Sequence, residues 1–427
     1  MMPRREQADR APMFRSLSVR NFRLFFGGQL VSAIGNWLTT IAATLFVLHL
    51  TDSGFAIGVL TACQFGPLLV FGLWAGAVVD RIDKRKLLLL TQVIAAAQSA
   101  AYAVLAFAGS PPLGAIYAVA LVGGFVVAID TTARRAFVVE LVDEEHVANA
   151  VSLNSAMMTS SRVFGPVIAG VLISTVGYAW CFTLDALSYI GPMIALLLMR
   201  TSEIRRAPVV ARAKGQIRDA FHYVGGLPNL WLPIAMTAII GTFTLNFQVV
   251  FPILVTRTFD GTDTTFTVLF SVLSVGSVLG ALWMARRTTL LLAQTVHTAA
   301  LLGVATVLLA CAPGLAFAFP VALLMGLGMT AFITSSTGNL QLTADAEKRG
   351  RVLALQSVVL IGSTPIGGPI VGAIVQQWGA RAGLMVGGIA CLAAVAFGYW
   401  VTHRHPELPT SIEVGDLGVE GSPGPVA

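Results

Sequence analysis

Charge is scarce in this chain. Of its 427 residues 56% are hydrophobic and only 11% are Asp, Glu, Lys or Arg, well under half the share of an ordinary soluble domain. So few charges cannot cover the surface of a soluble protein of this length, and exposed apolar patches would drive it out of solution. Soluble enzymes, disordered scaffolds and nucleic-acid-binding proteins are excluded on this ground. Cysteine is almost missing too. Cys63, Cys181, Cys311 and Cys391 sit in apolar runs without CxxC spacing, which points to small core residues and not to disulfides or a metal. None of the four lysines stands in a Gly-Lys-Ser/Thr sequence, so a Walker A loop is lacking and ATP is not the direct fuel. HExxH is absent and the six histidines are scattered. No metal, no cofactor and no enzyme activity are expected.

What the chain has is length of apolar run. About 20 mostly apolar residues cross the roughly 30 Å of bilayer hydrocarbon. Twelve runs qualify, near 22–50, 54–79, 87–108, 112–133, 148–175, 178–199, 230–256, 264–285, 289–311, 314–337, 353–377 and 380–402. Backbone polar groups in lipid must bond within their own segment, so these runs are helices. An all-α membrane protein with twelve transmembrane helices follows. The first run is longer than a signal peptide and follows six arginines in residues 1–23, so it is expected to stay as a membrane helix.

Basic residues set the orientation. With a cytoplasmic N-terminus, 24 of the 27 Lys and Arg lie on inward segments, Arg257 and Arg381 lie outside, and Arg162 stays within a helix. This positive-inside bias predicts a multi-pass protein of the cell (inner) membrane with both termini cytoplasmic. It also assigns the net charge of +6 to the lipid surface and not to nucleic acid. The expected organisation is a cytoplasmic segment over 1–21, a six-helix bundle over 22–199, a cytoplasmic linker over 200–229, a second six-helix bundle over 230–402, and a disordered Pro/Gly-rich cytoplasmic tail over 403–427. A short interfacial helix is expected in the linker around Ile217–Val224.

The two bundles read as copies. Gly72-x3-Gly76 recurs as Gly276-x3-Gly280, Gly165-Pro166 as Gly368-Pro369, and Val151-Ser152-Leu153 as Leu353-Ala354-Leu355, at offsets of 204, 203 and 202. Parallel six-helix repeats predict a transporter with its site between the halves.

Gly76-Ala-Val-Val-Asp80-Arg81-Ile-Asp83-Lys84-Arg85-Lys86 closes the second helix and opens the third. It resembles the cytoplasmic signature of the major facilitator superfamily, G-x-L-x-D-R-x-G-R-K, with Asp83 where the family has Gly. Asp80 at a helix end can hold Arg81 and Arg134 in a charge cluster and cap a nearby helix. Gly76, Asp80, Arg81, Arg85 and Arg134 are therefore the expected conformational gate.

The stretch from Arg134 through Asn154 to Arg162-Val163-Phe164-Gly165-Pro166 and Gly170 is more particular. With Asn21-Phe22-Arg23 and Ser32-x2-Gly35-x-Trp37, it is similar to the enterobactin-exporter and macrolide-efflux branch of that superfamily. The likeness extends over 14–402. It implies the major facilitator fold of two pseudo-symmetric six-helix bundles, a central cavity, and export usually driven by protons. Ser161 to Gly170 also resembles the helix-5 antiporter signature, g-x3-G-P-x2-G-G. Gly165, Pro166 and Gly170 match it, while Ser161 and Ala169 replace two glycines. Close helix packing accounts for the same residues equally well.

Besides Arg23 and Arg381 at run ends, three charged residues lie within the apolar runs. Arg162 is the one basic residue in the membrane core. A charge at that depth costs about 3 kcal/mol or more on insertion scales, so it needs an acid partner or a watery cavity, where it would bind an anionic substrate group. Asp130 stands one turn from Arg134 and reads as a latch pair or a proton site. Asp185, two turns into the sixth helix, reads as a solvated acid near a helix N-terminus or as the proton site.

Polar stripes mark the expected substrate cavity. Gln29, Ser32, Asn36 and Thr40 share one face of the first helix, and Thr330, Thr334, Thr337 and Gln341 one face of the tenth. Asn246 and Gln248 lie among Phe243, Phe247 and Phe251 in the seventh, where lipid-facing rings are the alternative. Helices 1, 4, 7 and 10 line the cavity in the superfamily that the chain resembles. The expectation is a monomeric secondary transporter that exports a small amphipathic compound, drug or siderophore in type, by alternating access and driven by inward proton flow. A lysophospholipid flippase is the alternative. A non-transporting membrane sensor is disfavoured, because the short tail offers no folded domain to pass a signal on.

Overall fold

A computed structural model of the protein describes residues 14–79, 81–205, 222–287, 292–345 and 347–404, the side chains of 73–77 apart. Among the described residues every regular element is helical. Membrane-crossing helices are α1 (Arg20–Thr51), α2 (Gly54–Val79), α3 (Lys84–Phe107), α4 (Leu113–Glu140), α5 (Glu144–Val176) and α6 (Tyr178–Leu198). They continue as α7 (Pro228–Thr258), α8 (Asp263–Ala285), α9 (Leu292–Ala310) and α10 (Leu315–Thr343). The last helical stretch, Arg349–Arg404, divides at Gly379 (φ 85°, ψ 167°) into α11 (349–378) and α12 (380–404). That division gives the twelve crossings expected.

Gly379 has a counterpart. Gly177 (φ 84°, ψ 174°) separates α5 from α6, 202 residues earlier in the sequence. Both glycines occupy a left-handed conformation that a side chain strains, and each turns the chain between the fifth and sixth helix of its half. This repeat marker is invisible to hydropathy, because glycine is common elsewhere in the chain.

Large apolar side chains point outward. Val70, Val104, Leu197 and Trp378 are 69%, 68%, 62% and 68% exposed, an arrangement stable only against lipid. The chain is an integral membrane protein. Its helices associate through small residues instead, since lipid tails are as apolar as leucine.

The described chain falls into two compact units, one built from residues up to Asp52 and from Cys63 to 205, the other from Ser53–Ala62 and residues from 222 onward. In the first unit, a β-carbon on Gly124 of α4 would meet the carbonyl oxygens of Cys63 and Gln64 of α2 at 2.7 Å. In the second, Gly326 of α10 meets the Leu273 carbonyl of α8 in the same way, and Gly276 and Gly280 of α8 meet the carbonyls of Leu323 and Leu327. Backbone packs on backbone at both places. Ser53–Ala62, expected in the first bundle, packs within the second unit. There the Gly54 N–H donates to Gln376 Oε1 at 2.9 Å, and Gly58 abuts the Gly368 carbonyl.

The end of the first unit where α1 begins and α6 stops is pinned by polar clamps. Asn21 Nδ2 donates to the Arg200 carbonyl at 2.9 Å, and the Arg200 N–H donates to Asn21 Oδ1 at 3.1 Å. Ser16 donates from N and Oγ to Asn149 Oδ1 at 3.0 and 2.6 Å. Phe25 and Phe137 pack edge to face beside them, with centroids 5.7 Å apart. Within the expected linker, residues 206–221 lie outside the described residues, so of the predicted interfacial helix only 222–224 is seen, and it is helical. Of the tail predicted to be disordered over 403–427, His403 and Arg404 instead continue α12 as helix, and residues from 405 onward lie outside the described residues, as does the start of the N-terminal segment.

Candidate functional site

The first unit holds a buried acid that bonds no cation among the described residues. Asp185 of α6 is fully buried, which overturns the reading of a solvated residue at a helix end. Thr39 Oγ1 of α1 and Ser99 Oγ of α3 both donate to its Oδ2 at 2.6 Å, and Ser188 Oγ donates to Oδ1 at 3.3 Å. Gly35 makes the room, since a β-carbon there would strike Asp185 Oδ1 and Ser188 Oγ. Three helices thus converge on one carboxyl through hydroxyls alone. Hydroxyl groups donate to a carboxylate and accept from a carboxylic acid with equal ease, so this nest accommodates both protonation states.

Arg162 of α5 lacks an acid partner. Among the described residues no carboxylate bonds it, and its Nε is buried without a hydrogen bond. Its guanidinium carbon instead lies 6.0 Å from the centre of the Trp37 ring of α1. The ring is held against α5 by Gly165, where a β-carbon would collide with Trp37 Cβ. Gly165 of the helix-5 motif therefore seats the aromatic ring on which the cation rests. Pro166 and Gly170 are buried in the same helix.

Asp130, also buried, differs from Asp185 in having a cation beside it. Its Oδ2 pairs with Arg134 Nη2, and its Oδ1 accepts from Thr91 Oγ1 and Gln92 Nε2, each at 2.9 Å. This is a pinned ion pair tying α4 to α3. α4 runs on to Glu140, beyond the apolar run that ends near 133.

Of the expected gate residues, Asp80 lies outside the described residues, and Arg134 bonds Asp130 on its own helix. Gly76 is in α2, Arg81 is exposed in the following turn, and among the described residues Arg85 bonds no acid. Its Nε donates to the Leu196 carbonyl at 2.6 Å and its Nη2 to that of Leu197 at 3.2 Å, capping the negative C-terminal end of α6. Asp83, at the departure from the superfamily signature, is the N-cap of α3 and accepts from the N–H groups of Arg85 and Lys86 at 3.0 and 3.3 Å. A capping carboxylate does the work of the missing glycine turn. Lys84 bonds Glu140 at 2.6 Å between α3 and α4.

The polar stripes split. On α1, Gln29 and Ser32 are buried, while Asn36 is exposed and Thr40 bonds back to the Asn36 carbonyl at 2.8 Å. Both amide heteroatoms of Gln29 are enclosed without a protein partner. On α10, Thr334 is exposed, and the buried polar groups are Ser335, Ser336 and Asn339. Gln356 Nε2 of α11 donates to Thr237 Oγ1 at 2.9 Å and to Ser336 Oγ at 3.0 Å. Sequence reasoning missed Gln356, Thr237 and Ser336, because single polar residues in apolar helices form no stripe.

α7 is not one continuous helix. It runs Pro228–Phe243, breaks, resumes at Phe247–Ile253 and ends in a π-turn at Leu254–Thr258. Asn246 sits in the break and donates from Nδ2 to the Thr242 carbonyl at 2.7 Å, while its buried Oδ1 has no partner. Phe247 and Phe251 are buried with centroids 5.4 Å apart, so these rings do not face lipid, and Gln248 is half-buried. Broken helices with unwound backbone are where transporters place substrates.

Residues 11–412 match the family described as transmembrane secretion effector, a branch of the major facilitator superfamily. The chain belongs to this family. Its twelve-helix fold agrees with that of solved major facilitators. A bacterial homologue of the lysosomal transporter Spinster shares 14% identity and a TM-score of 0.70, over 93% of this chain and 98% of that one. A bacterial homologue of the iron transporter ferroportin gives 14% and 0.71, over 90% and 98%. Among curated relatives, the staphyloferrin A transporter of Staphylococcus aureus is 25% identical over 61% of this chain and 66% of its own length. The enterobactin exporter EntS of Salmonella paratyphi A is 24% identical over 61% and 62%. The multidrug efflux pump Tap of Mycolicibacterium fortuitum is 25% identical over 84% and 90%. The match to the first two relatives thus spans less than two thirds of their lengths. These relatives are transporters and not enzymes.

Proposed function

We propose that this secretion-effector family member exports small amphipathic compounds across the cell membrane by alternating access, coupled to inward proton flow, with both termini in the cytoplasm. The single observation behind the coupling is Asp185, an acid buried among Thr39, Ser99 and Ser188 and bonded to no cation among the described residues. Taking up a proton there changes the charge of the first unit's interior, and that change biases one conformation over another. Asp130 is assigned the other role, that of a fixed latch, because Arg134 already neutralises it. The names of the relatives support siderophore- or drug-like cargo over lipid flipping. The unpartnered amides of Gln29 and Asn246 are the polar groups assigned to meet such cargo.

The test uses everted membrane vesicles made acid inside, with a pH-sensitive dye and a panel of macrolides, aromatic cations, catecholate siderophores and lysophospholipids. Proton release on adding one class, absent from vesicles without the protein, is the expected result. Asp185→Asn should abolish release while Asp130→Asn leaves part of it. Release undiminished in Asp185→Asn removes that residue as the proton site. Movement of lysophospholipid alone would replace export with flipping.

A further inference from the structure

We infer that the transported compound carries an anionic group, a carboxylate first among candidates, that Arg162 recognises beside the Trp37 ring. This rests on the export reading and names its substrate class. A guanidinium inside the membrane is ordinarily neutralised by an acid. Here the acids of the first unit's membrane helices are committed elsewhere or lie at helix ends: Asp130 bonds Arg134, Asp185 three hydroxyls and Glu140 Lys84, while Glu144 and Glu145 are exposed in the first turn of α5. Arg162 has neither ion pair nor hydrogen bond among the described residues, and its Nε is enclosed. The Trp37 face at 6.0 Å offsets only part of the cost of that charge. A charge kept there without a structural partner is available for a ligand, and the planar guanidinium fork fits a carboxylate with two parallel hydrogen bonds.

The surroundings extend the argument. Trp37 offers an apolar plane next to the cation, fixed by Gly165, and Asn36 is exposed one residue away on α1. An aromatic or otherwise flat body on Trp37 with its acid group on Arg162 satisfies both. A cationic drug finds repulsion at the same place. The resemblance to the antiporter signature then gains a physical content, since Gly165 builds the seat of the recognising pair.

The full-length protein in lipid nanodiscs is titrated with 2-naphthylacetate and with its methyl ester, and binding is read by calorimetry. The acid is expected to bind at least about tenfold more tightly than the ester, the minimum for a charge-assisted pair. Arg162→Gln should erase that preference and leave ester binding unchanged, and Arg162→Lys should keep part of it. Because the charge has no structural partner, Arg162→Gln should unfold at or above the wild-type temperature, which keeps the variant interpretable. Equal binding of acid and ester, binding of neither, or an acid preference that survives Arg162→Gln overturns the inference. The everted-vesicle assay separates the two levels. Export of compounds without acid preference sinks the anion site alone, whereas absent export with a retained acid preference in binding sinks only the export reading.

Discussion

Thr39 Oγ1 on α1 donates to Asp185 Oδ2 on α6 at 2.6 Å, and Ser99 Oγ on α3 reaches the same oxygen at 2.6 Å. One carboxyl oxygen therefore holds three helices. Asp185→Asn keeps an acceptor for both hydroxyls, whereas Asp185→Leu leaves them without one. The leucine variant is expected to be less stable than the asparagine variant by about 2 kcal/mol, the cost of orphaning buried polar groups. Thermal unfolding of both in detergent measures the difference, and equal midpoints would show that the hydroxyls re-bond to their own helices.

Trp37 and Gly165 form a knob and its socket. Gly165→Ala puts a methyl group into Trp37 Cβ, and overpacking of this kind costs roughly 1–3 kcal/mol. Trp37→Ala empties the socket and should make Gly165→Ala nearly harmless. A double-mutant cycle on unfolding midpoints is the check. Additive losses would mean that the glycine serves something other than this ring.

The ion pair of Asp130 and Arg134 should behave as a buried pair. Both are largely enclosed, with 8% and 18% of their side chains exposed. Asp130→Asn strands the arginine and is expected to cost about 3 kcal/mol. Asp130→Asn with Arg134→Gln should recover most of that loss. The readout is again the unfolding midpoint, and a double variant no better than the single one would place the cost on Thr91 and Gln92 instead.

The fold was legible because lipid allows so few solutions. A run of apolar residues long enough to cross must be a helix. Boundaries shifted at the ends of α4 and α10, which continue past their apolar runs to Glu140 and Thr343, since a hydropathy window registers where apolar residues stop and not where helical hydrogen bonding stops. Site residues were legible where one residue type was out of place, as with Arg162 and Asp185. Their environments were not, because the sequence does not show that Ser99 and Thr39, far apart in the chain, meet at one carboxyl. Gly124 and Gly326 stayed hidden for the same reason. Their role lies in the backbone of a neighbouring helix, and no pattern in their own helix records it.

Asn246 tests whether the break in α7 is held by a donor or by shape. Its Nδ2 donates to the Thr242 carbonyl at 2.7 Å and is 3.5 Å from that of Gly241. Two carbonyl acceptors on one side fix which end of the amide is nitrogen. Gly367 of α11 lies against the same group, since a β-carbon there would be 2.7 Å from Asn246 Nδ2. Asn246→Ala removes the donor and should cost about 1 kcal/mol. Asn246→Asp preserves the shape but sets a carboxylate oxygen against the Thr242 carbonyl. At pH 8 it should therefore be the less stable of the two variants, although it is the closer mimic in size. Unfolding midpoints in the order Asn, Ala, Asp support a donor-held break. The order Asn, Asp, Ala would make shape the determinant and leave the break to the packing of Phe247 and Phe251.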